Sequence, residues 1–360
     1  MTKEKKISRQ RDSRFELLRI IAMLLIVFHH FATHGQFDFS DRYALPRFWY
    51  SFIFIGGKIG VDVFVLISGY FLTAKNDLYL NKEKVIKLWA QTVFYSVALY
   101  VVFCLIGKDS FHPMGWVQAL LPVTYQCWWF VSTYFVLFLL HPYVNVLLHQ
   151  LDQKQYRNML ALMLGCWCIM PTLTDKGFEG NDLLWFTTLY CLAGYIRQYG
   201  LFRRLRSRHW FAWFGLFTAI TYLTCVAATL MGRTHSVFAY KAMYFYGQNK
   251  ITMLLISVSL FMAFATMKMK YHKWINVLGG AAFGVYLIHD HASVRSFLWI
   301  DLFHNATFWD TDLIVPYSIC TVFAVYIVCT ILELLRQRVL EKPFMHMVHR
   351  CLQKKGSQDS

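Results

Sequence analysis

Several ionisable side chains fall inside stretches that are otherwise apolar enough to cross a bilayer. Arg19 and His30 lie in RIIAMLLIVFHHF, Lys58 and Asp62 in FIGGKIGVDVFVLISGYFLTA, and His289 in GGAAFGVYLIHDHASVRSFLW. A charged group held in hydrocarbon costs about 2.5 kcal/mol or more unless it faces a cavity or a partner, so each is a functional candidate. Arg19 and His30 are eleven residues apart, close to three helical turns, and so share one face at a separation of roughly 16 Å along the axis. Glu16 and His34 lie near that face and His29 points away from it, which reads as a polar stripe lining a passage. Lys58 and Asp62 are spaced i, i+4, where opposite charges pair. His30, Lys58, Asp62 and His289 come to similar depth in three spans. An imidazole among apolar walls is a competent general base near neutral pH, and a lysine or second histidine beside it could stabilise an oxyanion. Acyl transfer and proton-coupled transport both fit this set.

The elements that must carry these residues are membrane helices. The 360 residues are 57% hydrophobic and 18% aromatic, and the mean hydropathy is +0.39. These values argue for one polytopic membrane domain and against a soluble nucleic-acid binder, despite a formal charge of +16. Ten stretches approach the roughly 20 residues a crossing needs: 15–34, 48–74, 87–106, 128–149, 156–174, 183–199, 209–231, 249–267, 274–299 and 313–335. With the N-terminus inside, 26 Lys and Arg residues fall on inside segments, seven on outside segments and three within spans. That bias predicts an all-α, ten-span protein with both termini cytoplasmic. Residues 1–14 read as a basic cytoplasmic segment leading into an uncleaved first span, 15–340 as the ten-helix domain, and 341–360 as a frayed cytoplasmic tail. The nine cysteines, including Cys166 and Cys168, read as small apolar side chains, with no metal or disulfide expected. Asn305-Ala-Thr307 has the form of a glycosylation acceptor and reads as a chance triplet.

Arg19, ten residues and then His30, followed in order by GVDVFVLISGYFL, CWWFVSTYFVLFLLHPYV and FGVYLIHDH, resembles the acyltransferase-3 family of integral-membrane bacterial O-acyltransferases. The similarity runs over roughly residues 12–340. It implies transfer of an acyl group, usually acetyl from cytoplasmic acetyl-CoA, to a sugar hydroxyl of a surface or lipid-linked glycan at the outer face of the inner membrane. By that resemblance His30 matches the essential first-span histidine and Arg19 its paired arginine. Asp62 falls in the GVDVF block, Trp129 in the Trp-Phe block and His289 in the YLIH block. His30, Arg19, Asp62 and His289 are the expected catalytic set, with Lys58, Trp129 and His34 toward the acceptor. Arg19, Lys82, Lys84, Lys87, Arg203 and Arg204 are the expected donor contacts. Many relatives carry an arginine-rich motif after the second span, where this chain has AKNDLYLNKEKVIKLW; its lysines would meet CoA phosphates as point charges. No metal and no nucleic acid are expected, and the oligomeric state leaves no mark. The alternatives are a proton-coupled glycan flippase or sugar transporter, which would need no acyl-CoA, and a non-catalytic scaffold.

Overall fold

The structure, a computed structural model, describes residues 11–37, 44–200, 202 and 204–356, with side chains through residue 353. Arg203 lies outside the described residues. Among them every regular element is a helix. The first, α1 (Ser13–His34), starts where the Asp12 side chain accepts from the Arg14 amide. The Arg14 guanidinium also donates to Asp12 and holds its carboxyl below the ordinary carboxylate range, keeping the cap ionised. The same guanidinium reaches Ala265 O at 2.8 Å, tying the start of α1 to the end of a later span.

The stretch expected at 48–74 is two helices, α2 (Leu45–Phe54) and α3 (Gly56–Leu72), joined at Ile55. Glycine is required on the α3 face that meets α1: a Cβ at Gly57 would stand 2.3 Å from His29 Cγ, and one at Gly60 would stand 2.5 Å from Ala22 O. The missing side chains let the two backbones approach closely. The interruption at Ile55 leaves the Phe54 carbonyl available, and His29 Nδ1 donates to it at 2.6 Å. His29 is therefore a tie between α1 and α2, as its position off the polar stripe suggested.

The chain continues through α4 (Lys82–Leu105), α5 (Pro113–Leu120), α6 (Trp129–Gln150), α7 (Gln153–Leu164), α8 (Met170–Thr174) and α9 (Asp182–Tyr199). It then forms α10 (Ser207–Met231), α11 (Ser236–Tyr240), α12 (Ile251–Ala265), α13 (Lys273–His289), α14 (Ala292–Ser296), α15 (Ile314–Arg336) and α16 (Lys342–Gly356). Among the described residues seven helical runs are long and apolar enough to cross a membrane, making this a multi-pass membrane protein. The other three expected spans are helical as well: α7 continues into α8 through a wide π-helical turn at 165–169, α9 has 18 residues and α13 has 17. The ninth expected span does not run on to residue 299. Helix α13 stops at His289 because the polar run Asp290-His291 turns away to make contacts of its own. The C-terminal segment is helical through Gly356.

Helix α1 lies between α3 and α13, with α12 and α15 also against it. Outward faces of α10 and α15 carry exposed Trp213, Leu223, Phe323 and Ile327, as lipid contact requires. A buried acid, Glu333 on α15, accepts from Gln91 Nε2 (3.0 Å), Tyr95 OH (2.6 Å), Arg336 Nε (2.8 Å) and Gln337 Nε2 (2.7 Å). Arg336 also pairs with Glu341, which pairs with Lys87. This network fastens α4 to α15, and every charge in it is matched. Asn305 is fully buried, so the glycosylation triplet is closed to modification in this fold. All nine cysteines are free.

Gly57→Ala should lower stability by about 1–3 kcal/mol, because the added methyl cannot fit against His29 without moving α1 from α3. Thermal unfolding of the purified protein in detergent checks this; an unchanged midpoint would show that the seam is looser than described.

Candidate active site

Helices α1 and α13 start on the same face of the bundle: His272 N donates to Ser13 Oγ (2.8 Å) and Asn276 Nδ2 to Arg11 O (2.9 Å). Running side by side, they bring His30 and His289 together near their far ends. His30 Nδ1 is 2.9 Å from His289 Nε2, and His289 Nδ1 is 2.6 Å from Val285 O. A carbonyl oxygen can only accept, so His289 carries its proton on Nδ1 and presents a lone pair at Nε2. His30 must then donate from Nδ1, which leaves its Nε2 as the basic nitrogen. The tautomer of the candidate base is thus fixed through a second histidine by the backbone.

Asp290, at the end of α13, places Oδ1 3.5 Å from His30 Nδ1, 3.9 Å from His34 Nε2 and 3.5 Å from the Arg295 guanidinium. It is close enough to balance positive charge on His30 during a proton transfer. His30, His34 and Asp290 have ligand atoms within 4.8 Å of one another, a spacing that could hold a metal ion. Arg295 already supplies a cation at that carboxylate, so the set is matched without one.

Beneath His30 is a small cavity of about 50 Å³ lined by His29, His30, Lys58 and Trp129 together with Ile26, Val61 and Tyr286. Lys58 Nζ stands 5.9 Å over the Trp129 ring. Toward the face where α1 begins lies a larger cavity of about 290 Å³, whose cations are Arg11, Arg19 and Lys87. Its lining also includes Ile26, Val61 and Tyr286, so three side chains form the partition between the two chambers. The two chambers are therefore neighbours inside the bundle, one at Arg19 and the other at His30. Arg19 is held by an ion pair with Glu16, which Arg11 approaches at 3.7 Å.

The expected residues are only partly brought together. His30, Lys58, Trp129 and Arg19 share the two chambers, His289 stands behind His30 without lining either, and His34 joins the cluster at Asp290. Asp62 departs from the expected pairing with Lys58. It is fully buried and its Oδ1 accepts from Trp185 Nε1 and Gln248 Nε2, both at 3.0 Å. One helical turn separates the two residues, yet the lysine turns to α6 and the carboxylate to α9 and the segment before α12. Lys87 lines the lower chamber, whereas Lys82, Lys84 and Arg204 are exposed and do not. His291 packs on Trp128, ring centres 5.6 Å apart. Arg11, Tyr286 and Asp290 were given no role from sequence. Arg11 looked like one more topology charge, and a lone tyrosine in an apolar helix carries no signal. Asp290 beside two histidines could have been singled out as an acid within a span.

The chain matches the family model described as an acyltransferase domain over residues 12–333. It belongs to the acyltransferase-3 family. No curated protein and no solved structure matches it significantly. Membership makes this membrane protein an acyltransferase and favours acyl transfer over proton-coupled transport for the buried polar residues. In the acyltransferase, one of the paired chambers is lined by Arg11, Arg19 and Lys87 and the other by the His30 imidazole.

The tautomer assignment has a direct check. In protein labelled with ¹⁵N-histidine, His30 should show a protonated Nδ1 and an unprotonated Nε2, and His289→Ala should remove that preference. An Nε2-protonated His30 in the intact protein would overturn the relay.

Proposed function

We propose that this protein moves an acetyl group from acetyl-CoA to a sugar hydroxyl of a cell-surface glycan, such as an O-antigen, capsule or exopolysaccharide, across the inner membrane of a bacterium. The observation that carries the reading is that the Arg19 chamber and the His30 chamber stand wall to wall, with only Ile26, Val61 and Tyr286 between them. In this reading the termini face the cytoplasm, as the charge bias suggests. The CoA phosphates meet Arg11, Arg19 and Lys87, and the pantetheine arm carries the thioester past the partition toward His30. Roughly 16 Å of helix separates Arg19 from His30, so an extended arm, not the nucleotide, makes the crossing.

His30 Nε2 takes the proton from the acceptor hydroxyl as its oxygen attacks the thioester carbonyl. Nδ1–H stays on His289, and Asp290 offsets the charge of the imidazolium. Lys58, which lines the same cavity as His30, meets the tetrahedral oxyanion. Collapse breaks the C–S bond; the CoA thiolate leaves and recovers the proton from the imidazolium. Asp62 does not touch this space and acts as a positioning residue, locking α3 to α9 through Trp185. Lys82, Lys84 and Arg204 serve general attraction of the donor to that face.

The test is acetyl transfer by the reconstituted protein, with acetyl-CoA and base-treated glycan from the host cell, read by mass spectrometry as acetyl-sized shifts. His30→Ala should lose about 10²-fold or more of the rate while inserting normally. Full acetylation by that variant rejects the assignment. Arg19→Ala should raise the KM for acetyl-CoA, whereas Lys58→Met should lower kcat by about 10²-fold. Release of CoA without any acceptor, in a burst matching the enzyme concentration, would mark an acetyl-imidazole intermediate in place of direct transfer.

A further inference from the structure

A second cavity lies beyond His289, on the face opposite the Arg19 chamber, between the end of α4, α5, the segment 121–127 and the start of α14. Its volume is about 280 Å³. It stands next to the reaction centre without being part of it. Two short stretches of chain divide between the two sites: Trp129 lies under Lys58 while Trp128 packs on His291, and His289 holds His30 while His291 lines the second cavity.

We propose that this cavity is a subsite for a glycan unit adjacent to the one being acylated, and that it takes neutral or amino sugars over acidic ones. The inference rests on the acyltransferase reading given above.

The walls are held in place before any ligand arrives. The buried Tyr100 hydroxyl donates to Ser110 O at 3.1 Å and accepts from His112 N at 3.1 Å, and His112 Nδ1 accepts from Gly115 N at 2.9 Å. Asp109 Oδ2 accepts from Ser293 Oγ at 2.9 Å, which joins the loop after α4 to α14. Other groups are left over. The side-chain amide of Gln118 and the hydroxyl of Tyr125 line the space, with no hydrogen-bond partner among the described residues. His291 Nδ1 is buried with none. Gln118 and Tyr125 can therefore offer a ligand hydroxyl both donors and acceptors. Donors and acceptors beside the tyrosine faces match a molecule that has hydroxyls around its edge and C–H groups on its faces. Among the described residues Asp109 is the one acid in the lining, and no lysine or arginine lines it. A carboxylated sugar would therefore meet a like charge with no cation to offset it.

Length dependence tests this, because a subsite rewards an acceptor that extends beyond the reacting unit. Base-treated glycan from the host cell is hydrolysed and fractionated into monosaccharide and trisaccharide, and each is offered to the intact reconstituted protein with acetyl-CoA. The trisaccharide should have a KM about tenfold lower, the worth of one or two hydrogen bonds. Gln118→Leu and Tyr125→Ala, both at exposed positions, should each raise the trisaccharide KM toward that of the monosaccharide, with unfolding temperature as the control for folding. Asp109→Asn should narrow the discrimination against a uronic-acid trisaccharide. Equal KM values for the two lengths in the wild type, or a length advantage that survives both substitutions, overturns the subsite while leaving acetyl transfer intact. No acetylation of either acceptor by the wild type overturns the acyltransferase reading and the subsite with it.

Discussion

The hydrogen bond between His30 and His289 is the contact on which the rest of the molecule depends. It joins residues 259 positions apart, at the far ends of two helices that begin on the same face. Its chemical value lies in the proton inventory. Val285 O fixes His289, and His289 fixes His30, so the basic nitrogen is chosen without any acid in direct contact. A carboxylate in the place of His289 would bury a full charge against His30; a neutral imidazole transmits the same orientation at lower desolvation cost.

Keeping that contact requires α1 to be clamped on both sides. On one side the Gly56, Gly57 and Gly60 face of α3 presses onto Leu25, His29 and Ala22. On the other, Gly279 of α13 sits against Glu16, where a Cβ would fall 2.7 Å from the backbone oxygen. Lipid offers no hydrophobic force to drive helices together, so close packing and interhelical hydrogen bonds must do it. The polar ties follow that rule. His29 to Phe54 O, Asp62 to Trp185, Asn145 to Leu72 O and the Glu333 cluster each cross between helices. Charges that would be costly in hydrocarbon are therefore the fasteners of the bundle, and only a minority face the chambers.

This division explains which parts of the site were legible beforehand. Helical periodicity put Arg19 and His30 on one face, and His29 off it, because those relations lie within one helix and follow from 100° per residue. The apolar runs located the helices for the same local reason. The Lys58–Asp62 pair shows where local rules stop: i, i+4 spacing permits pairing, but Trp185 and Gln248 offered the carboxylate donors from other elements. Arg11 was indistinguishable from a topology charge until the start of α13 came beside it, and Glu333, whose partners Arg336 and Gln337 lie within one turn, gained Gln91 and Tyr95 only when α4 packed against α15.

The amino-acid sequence by itself determined that the chain lives in a membrane as a set of helices, that a cation and an imidazole share one face of the first helix, and which family pattern they follow. These are properties of composition and of short-range periodicity. Only the tertiary structure decided that His289 meets His30, that Asp62 turns away from Lys58, and that two chambers share one partition. Each of these depends on which helix packs against which, and side-chain hydrogen bonds between helices are settled by that packing rather than by spacing along the chain.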